Sequence, residues 1–111
     1  MAPWQIPEIG VGDIADDAYV LDVREADEWE AGHAPGAHHV PMMQIPMRAG
    51  ELPTDRDIVV VCRVGARSAQ VVAYLRAQGF DRVANLDGGM YAWQASGRPV
   101  VTSEGRAGQV L

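Results

Sequence analysis

An α/β fold, a parallel sheet covered by helices on both faces, is what this sequence predicts, and three observations predict it. Segments with strand character alternate with segments of helix formers, the order of a sheet whose strands are joined by helical crossovers. The run Ile58-Val59-Val60-Val61-Cys62 is apolar, β-branched and free of charge between Asp57 and Arg63, as a strand buried on both faces must be. A short glycine-containing loop then leads straight into a helical segment. In sheets of this kind ligands bind outside the carboxyl ends of the strands, where such loops lie.

Taken in order, Gln5 to Val11 carries Ile6, Ile9 and Val11 but is interrupted by Pro7, which suits an edge strand. Ala18 to Val23 is a second apolar strand, with Asp22 and Arg24 at its C-terminal end. Ala26 to Ala31 reads as a short helix, since Asp27 and Glu28 in its first turn complement the helix dipole and Gly32 supplies a stop. Gly32 to Ala37 is a loop by its glycines and proline, and His38 to Pro41 a short strand. Met42 to Met47 reads as a helical turn leading into a loop, Arg48 to Asp57.

After the central strand and its loop, a helix is expected up to Gln78, with apolar Ala69, Val72, Ala73 and Leu75 on it and Gly79 as its cap. Arg82 to Leu86 is the last strand. Asp87-Gly88-Gly89 turns into a helix from Met90 to Ala95, which Gly97-Arg98-Pro99 ends. The whole, 1–111, is expected to be a single domain with its core at about 5–100. The tail, 101–111, is polar and glycine-containing beyond Thr102, and loose order is expected there.

Composition narrows the function. A chain of 111 residues can bury about 65% of its unfolded surface around one core. Its net charge of −6, from 9 basic and 15 acidic residues, opposes a nucleic-acid or anionic-membrane partner. No apolar run approaches the ~18 residues of a membrane span. The first basic residue is Arg24, which argues against a secretory or transit leader, so a cytoplasmic protein is expected. Every basic residue is arginine, which excludes Schiff-base chemistry and lysine-dependent phosphate loops. A lone cysteine forbids an internal disulfide, so whatever Cys62 acquires must be removed by another molecule.

The chemistry points to that cysteine. The loop Arg63-Val64-Gly65-Ala66-Arg67-Ser68 can curl backbone N–H groups around one point in front of a helix N-terminus, and amide dipoles there stabilise a thiolate. Arg63 and Arg67 add permanent positive charge and are expected to attract an anion. Arg67, near a helix N-terminus, is unfavourably placed by the dipole, which calls for a carboxylate partner or a bound anion, and Asp22 is the candidate partner.

Four blocks then bear a resemblance. Tyr19-Val-Leu-Asp22-Val-Arg24, the run from Glu28-Trp29 through Gly32-His33-Ala-Pro35-Gly36-Ala37 to Val40-Pro41, Val60-Val-Cys62-Arg-Val-Gly65-Ala-Arg67-Ser68, and Leu86-Asp87-Gly88-Gly89-Met-Tyr-Ala92-Trp93 resemble, in order, the motifs of a rhodanese domain. The resemblance implies a five-stranded, mainly parallel sheet flanked by helices. It implies that Cys62 is the nucleophile that carries sulfane sulfur as a persulfide, held by Arg63, Val64, Gly65, Ala66, Arg67 and Ser68, with Asp22 and Arg24 in structural support. The expected reaction moves sulfur from thiosulfate or a similar sulfur-containing anion to cyanide, a thiol or a protein acceptor, without a cofactor.

Rival readings are a sulfur-carrier or interaction module with little free turnover, and a phosphatase or arsenate reductase. The last needs five residues between cysteine and arginine to cradle a tetrahedral oxyanion, and here four separate Cys62 from Arg67. His33, in a glycine and proline turn, is read as a fold-holding hydrogen bonder. Adjacent His38 and His39 point to opposite sides of a strand, so no metal site with Cys62 is expected. Met42, Met43 and Met47 are read as core filler or a pocket wall. Trp29 and Trp93 are read as core anchors, and Trp4 as exposed.

Overall fold

The computed structural model describes residues 5–111. Five strands form one sheet in the order β1-β5-β4-β2-β3: β1 is Glu8–Ile9, β2 Tyr19–Asp22, β3 His38–His39, β4 Ile58–Val61 and β5 Val83–Leu86. Every neighbouring pair is parallel. The helices are α1 (Ala26–Ala31), α2 (Ile45–Arg48), α3 (Ala66–Ala77) and α4 (Gly89–Ala95).

The alternation of side chains along β4 builds two cores. Ile58 and Val60 join Leu21, Ile45, Val71, Val72 and Leu75 under α2 and α3, and Cys62, just beyond the strand, keeps their parity. Val59 and Val61 face the other way, onto Leu86, Met90 and Trp93 of the α4 layer. Parity on β5 has the same effect: Val83 belongs to the α3 side, so Asn85 also turns toward α3, while Leu86 faces α4.

Several expectations change. The two edge strands shrink to two residues each, because only Glu8–Ile9 and His38–His39 find ladder partners. The Met42 to Met47 segment is helical as expected, a 3-10 turn at Met42–Gln44 followed by α2, with Pro46 in the first turn where its missing N–H costs nothing. Met43 and Met47, however, are 78% and 87% exposed and fill no core, since that turn lies on the surface with only Met42 and Ile45 facing inward.

The tail is ordered by hydrogen bonds. Val101 bridges His33 and Ala107, the Gly108 N–H donates to the Val100 carbonyl, and the Gln109 N–H to that of Ala31. Its composition suggested loose order because polarity and glycine say nothing about backbone pairing. Trp93 is an anchor, 6% exposed, but Trp29 is only half-buried and lies stacked between the rings of His33 and His39. Trp4 lies outside the described residues. Among the described residues no helix is long and apolar enough to cross a membrane.

Candidate functional site

The C-terminal end of β4 delivers Cys62 to the sheet edge, and the chain then turns sharply enough for α3 to begin at Ala66. Gly65 makes this turn. Its φ of +111° lies in the left-handed region, and from there its N–H donates to Cys62 Sγ at 3.1 Å. One turn into α3 the Ser68 hydroxyl lies 3.2 Å from the same sulfur. Cys62 is 1% exposed, so the thiol lies at the floor of the loop.

Burial alone pushes the Cys62 thiol up, but the Ser68 hydroxyl and the amides of Ser68, Gly65 and Val64 bring it below the ordinary thiol range. The donors to the sulfur come from Val64, Gly65 and Ser68. Hydrogen-bond donors, with no neighbouring base, favour negative charge on this sulfur.

The two loop arginines differ from expectation in what they touch. Arg67 does not reach Asp22. It forms a two-pronged ion pair with Glu28 of α1, Nη1 to Oε1 at 2.7 Å and Nη2 to Oε2 at 2.8 Å. Asp22 is taken already: the Arg24 backbone N–H and Nε donate to it, and Arg24 Nη2 lies 2.8 Å from its Oδ2, both side chains being fully buried. The carboxylate demanded by the helix dipole at Arg67 is thus supplied by a different acid. The Arg67 hydrogen bond holds the Glu28 carboxyl at about 2, against the effect of burial, with the Glu25 N–H assisting.

Arg63 turns to the rim. Its Nε and Nη2 donate to the Tyr91 hydroxyl at 3.0 and 2.6 Å, which ties the loop to α4. The backbone reinforces this tie, since the Met90 and Tyr91 N–H groups donate to the carbonyls of Cys62 and Arg63. Gly89 is what permits it. A Cβ there would stand 2.5 Å from the Cys62 carbonyl oxygen.

Asp22 and Arg24 brace the neighbouring strand end, and Arg24 Nη2 also donates to the Gly32 carbonyl at 2.7 Å. His33 Nδ1 donates to the Trp29 carbonyl and His39 Nε2 to that of Arg24, while His38 stacks on Tyr19. Among the described residues no group of three or more His, Cys, Asp and Glu side chains gathers as a metal site would require.

Glu28, Tyr91 and Asn85 contribute to the site without having been assigned to it from sequence. Asn85 had a legible signal, a polar residue in the otherwise apolar run Val83-Ala84-Asn85-Leu86. It is 2% exposed, and its side-chain oxygen lies 2.5 Å from Ser68 Oγ.

Known proteins share this arrangement of chain. The family profile described as a rhodanese-like domain matches residues 10–96. A sulfurtransferase of Allochromatium vinosum is 48% identical over 90 residues, which cover 81% of this chain and 84% of that protein. A putative sulfur carrier protein of Bacillus subtilis, YrkF, is 39% identical over 67% of this chain and 40% of its own length. The crystal structure of a rhodanese-related protein from Thermoplasma volcanium superposes with a TM-score of 0.80 at 30% identity, covering 86% of this chain and 97% of that one.

Proposed function

The chain belongs to the rhodanese-like domain family, and from that premise we propose that it is a sulfurtransferase that carries sulfane sulfur on Cys62. The observation that carries the reading is the sulfur's own environment: a buried thiol ringed by the Gly65 amide and the Ser68 hydroxyl, and lowered below its ordinary pKa. In the first half-reaction the Cys62 thiolate attacks the outer sulfur of thiosulfate or a related donor. A new S–S bond forms, the donor's S–S bond breaks, and sulfite, or the thiolate of another donor, leaves with that electron pair. In the second, a thiolate or cyanide attacks the terminal sulfur of the persulfide and Cys62 leaves as a thiolate, ready for another cycle.

No proton transfer to a protein base is needed, which agrees with a sulfur whose hydrogen-bond donors are the Gly65 amide and the Ser68 hydroxyl. The four-residue spacing from Cys62 to Arg67, and the tie of Arg67 to Glu28, argue against a cradle for a tetrahedral phosphoryl group. The similarity to a putative sulfur carrier keeps a second reading in view, in which the persulfide is handed to a protein and free turnover is slow.

Mass spectrometry of the intact chain after thiosulfate treatment tests the proposal. The expected result is a gain of one sulfur atom, lost on adding a thiol and absent in Cys62→Ser. An unmodified wild-type chain would end the sulfurtransferase reading. Persulfide formation much faster than steady-state turnover with cyanide would favour the carrier form.

A further inference from the structure

Asn85 is buried on β5 and its side chain makes three hydrogen bonds. Its Nδ2 donates to Glu8 Oε2 at 3.0 Å and to the Gly65 carbonyl at 3.1 Å. Both partners are acceptors only, which fixes the amide and leaves Oδ1 aimed at Ser68 Oγ, 2.5 Å away. Ser68 Oγ also lies 3.2 Å from Cys62 Sγ, and Ser68 is fully buried. A hydroxyl has one proton. It donates either to the asparagine oxygen or to the sulfur.

We propose that Asn85 is a positioning residue that competes with Cys62 for the Ser68 proton, so that the hydroxyl follows the charge on Sγ. With Sγ as a thiolate, the hydroxyl donates to the sulfur. With Sγ as a neutral thiol, the S–H donates to Ser68 Oγ and the Ser68 proton turns to Asn85. Resting on the sulfur-transfer reading, the same holds for the persulfide: bond formation consumes the Sγ electron pair, sulfite departs with the pair of the broken bond, and the negative charge lies on the outer sulfur. Neutral Sγ is then a poor acceptor, and Asn85 takes the proton it releases. Nothing is gained from or lost to solvent. Asn85 thereby stabilises the states in which Sγ is uncharged.

Arg67 of α3, paired with Glu28 of α1, is coupled to the sulfur, and the charged groups on the neighbouring elements are Arg63, tied to Tyr91 of α4, the Asp22 and Arg24 pair at the end of β2, and Glu8 of β1. None is replaced in the variants that follow, but Asn85→Ala also frees Glu8 Oε2 and the Gly65 carbonyl, so the Ser68→Ala background is what separates the hydroxyl from them. The experiment measures the pH dependence of iodoacetamide alkylation of Cys62 in the full chain, for wild type, Ser68→Ala, Asn85→Ala and the double variant.

Ser68→Ala is expected to move the limb to higher pH and slow alkylation about tenfold below it, as loss of a hydrogen bond to a charged group does. Asn85→Ala is expected to move it to lower pH. In the Ser68→Ala background the asparagine substitution should move it no further. An unchanged or raised limb in Asn85→Ala overturns the proposal, and so does an equal shift with Ser68 absent, because the effect would then run through Glu8 or the Gly65 carbonyl. Asn85→Leu, closer in volume, gives the same comparison if the alanine variant does not fold. Equilibration with thiosulfate and sulfite should leave Asn85→Ala with a smaller persulfide fraction than wild type. Failure of the wild type to take up sulfur would defeat the transfer reading, while the alkylation limb would still decide the role of Asn85.

Discussion

Glu28 serves two elements with one carboxylate. Its Oε1 accepts the Glu25 N–H at the start of α1 and an Arg67 Nη1 hydrogen from the first turn of α3, 39 residues away. A cation at a helix N-terminus opposes the dipole, and this acid offsets it while leaving Arg67 beside the sulfur. Because the folded Glu28 carboxyl is held at about 2, below its value in the unfolded chain, the stability it contributes is complete above the ordinary carboxylate range. It is lost as pH falls through about 2. The pair is partly solvated, so Glu28→Gln is expected to cost only about 1 kcal/mol at neutral pH. Urea midpoints of wild type and variant should differ by a constant amount above roughly pH 5 and converge toward about pH 2, the window set by the unfolded and folded values. A gap that persists into acid would mean that the variant damages packing and not the ion pair.

At the scale of elements, the α4 start and the cysteine loop form a single joint. Gly88 and Gly89 both have left-handed φ, +78° and +57°, and the carbonyls of Cys62 and Arg63 crowd the place where a Gly89 Cβ would stand. Gly89→Ala is therefore expected to destabilise the fold by about 2 to 3 kcal/mol and to displace the loop carbonyls, since strain and a backbone clash act together. Its alkylation limb should shift from that of wild type, and a wild-type melting temperature would refute the joint. The sequence showed a Gly-Gly turn here but not its reason, which lies in a loop some 26 residues earlier in the chain. Local patterns carried well where local physics decides. The apolar run of β4 and the Gly32 stop of α1 were legible for that reason. Partners far apart in sequence were not: Arg67 meets Glu28 across 39 residues, while Asp22 is held by Arg24. Asn85 was hidden differently, because strand parity gives a direction but not the hydroxyl that it meets.

Across the whole molecule, the last ten residues close a circuit that begins at the buried ion pair. Arg24, fully buried with Asp22, holds the Gly32 carbonyl. The tail presses on that glycine: a Cβ on Gly32 would stand 2.6 Å from the Gln109 nitrogen, and one on Gly108 would stand 2.7 Å from Gly32 Cα. Val101 bridges back to His33, whose ring is stacked on Trp29, and the Trp93 indole N–H donates to the Pro99 carbonyl at 2.8 Å. These contacts enclose the strand end that carries Asp22, next to β4 and Cys62. Removing residues 102–111 breaks the Gly108 and Gln109 backbone hydrogen bonds and uncovers Val100, and is expected to cost about 2 to 3 kcal/mol. Gly108→Val should reproduce much of that loss without shortening the chain, since the added side chain cannot enter against Gly32. Thermal melts of both variants decide between a tail that is part of the fold and one that only follows it. If polar composition governed the segment, both would melt with the wild type. If backbone pairing governs it, both melt several degrees lower, and hydrogen exchange at Gln109 is slow in the wild type and fast in Gly108→Val.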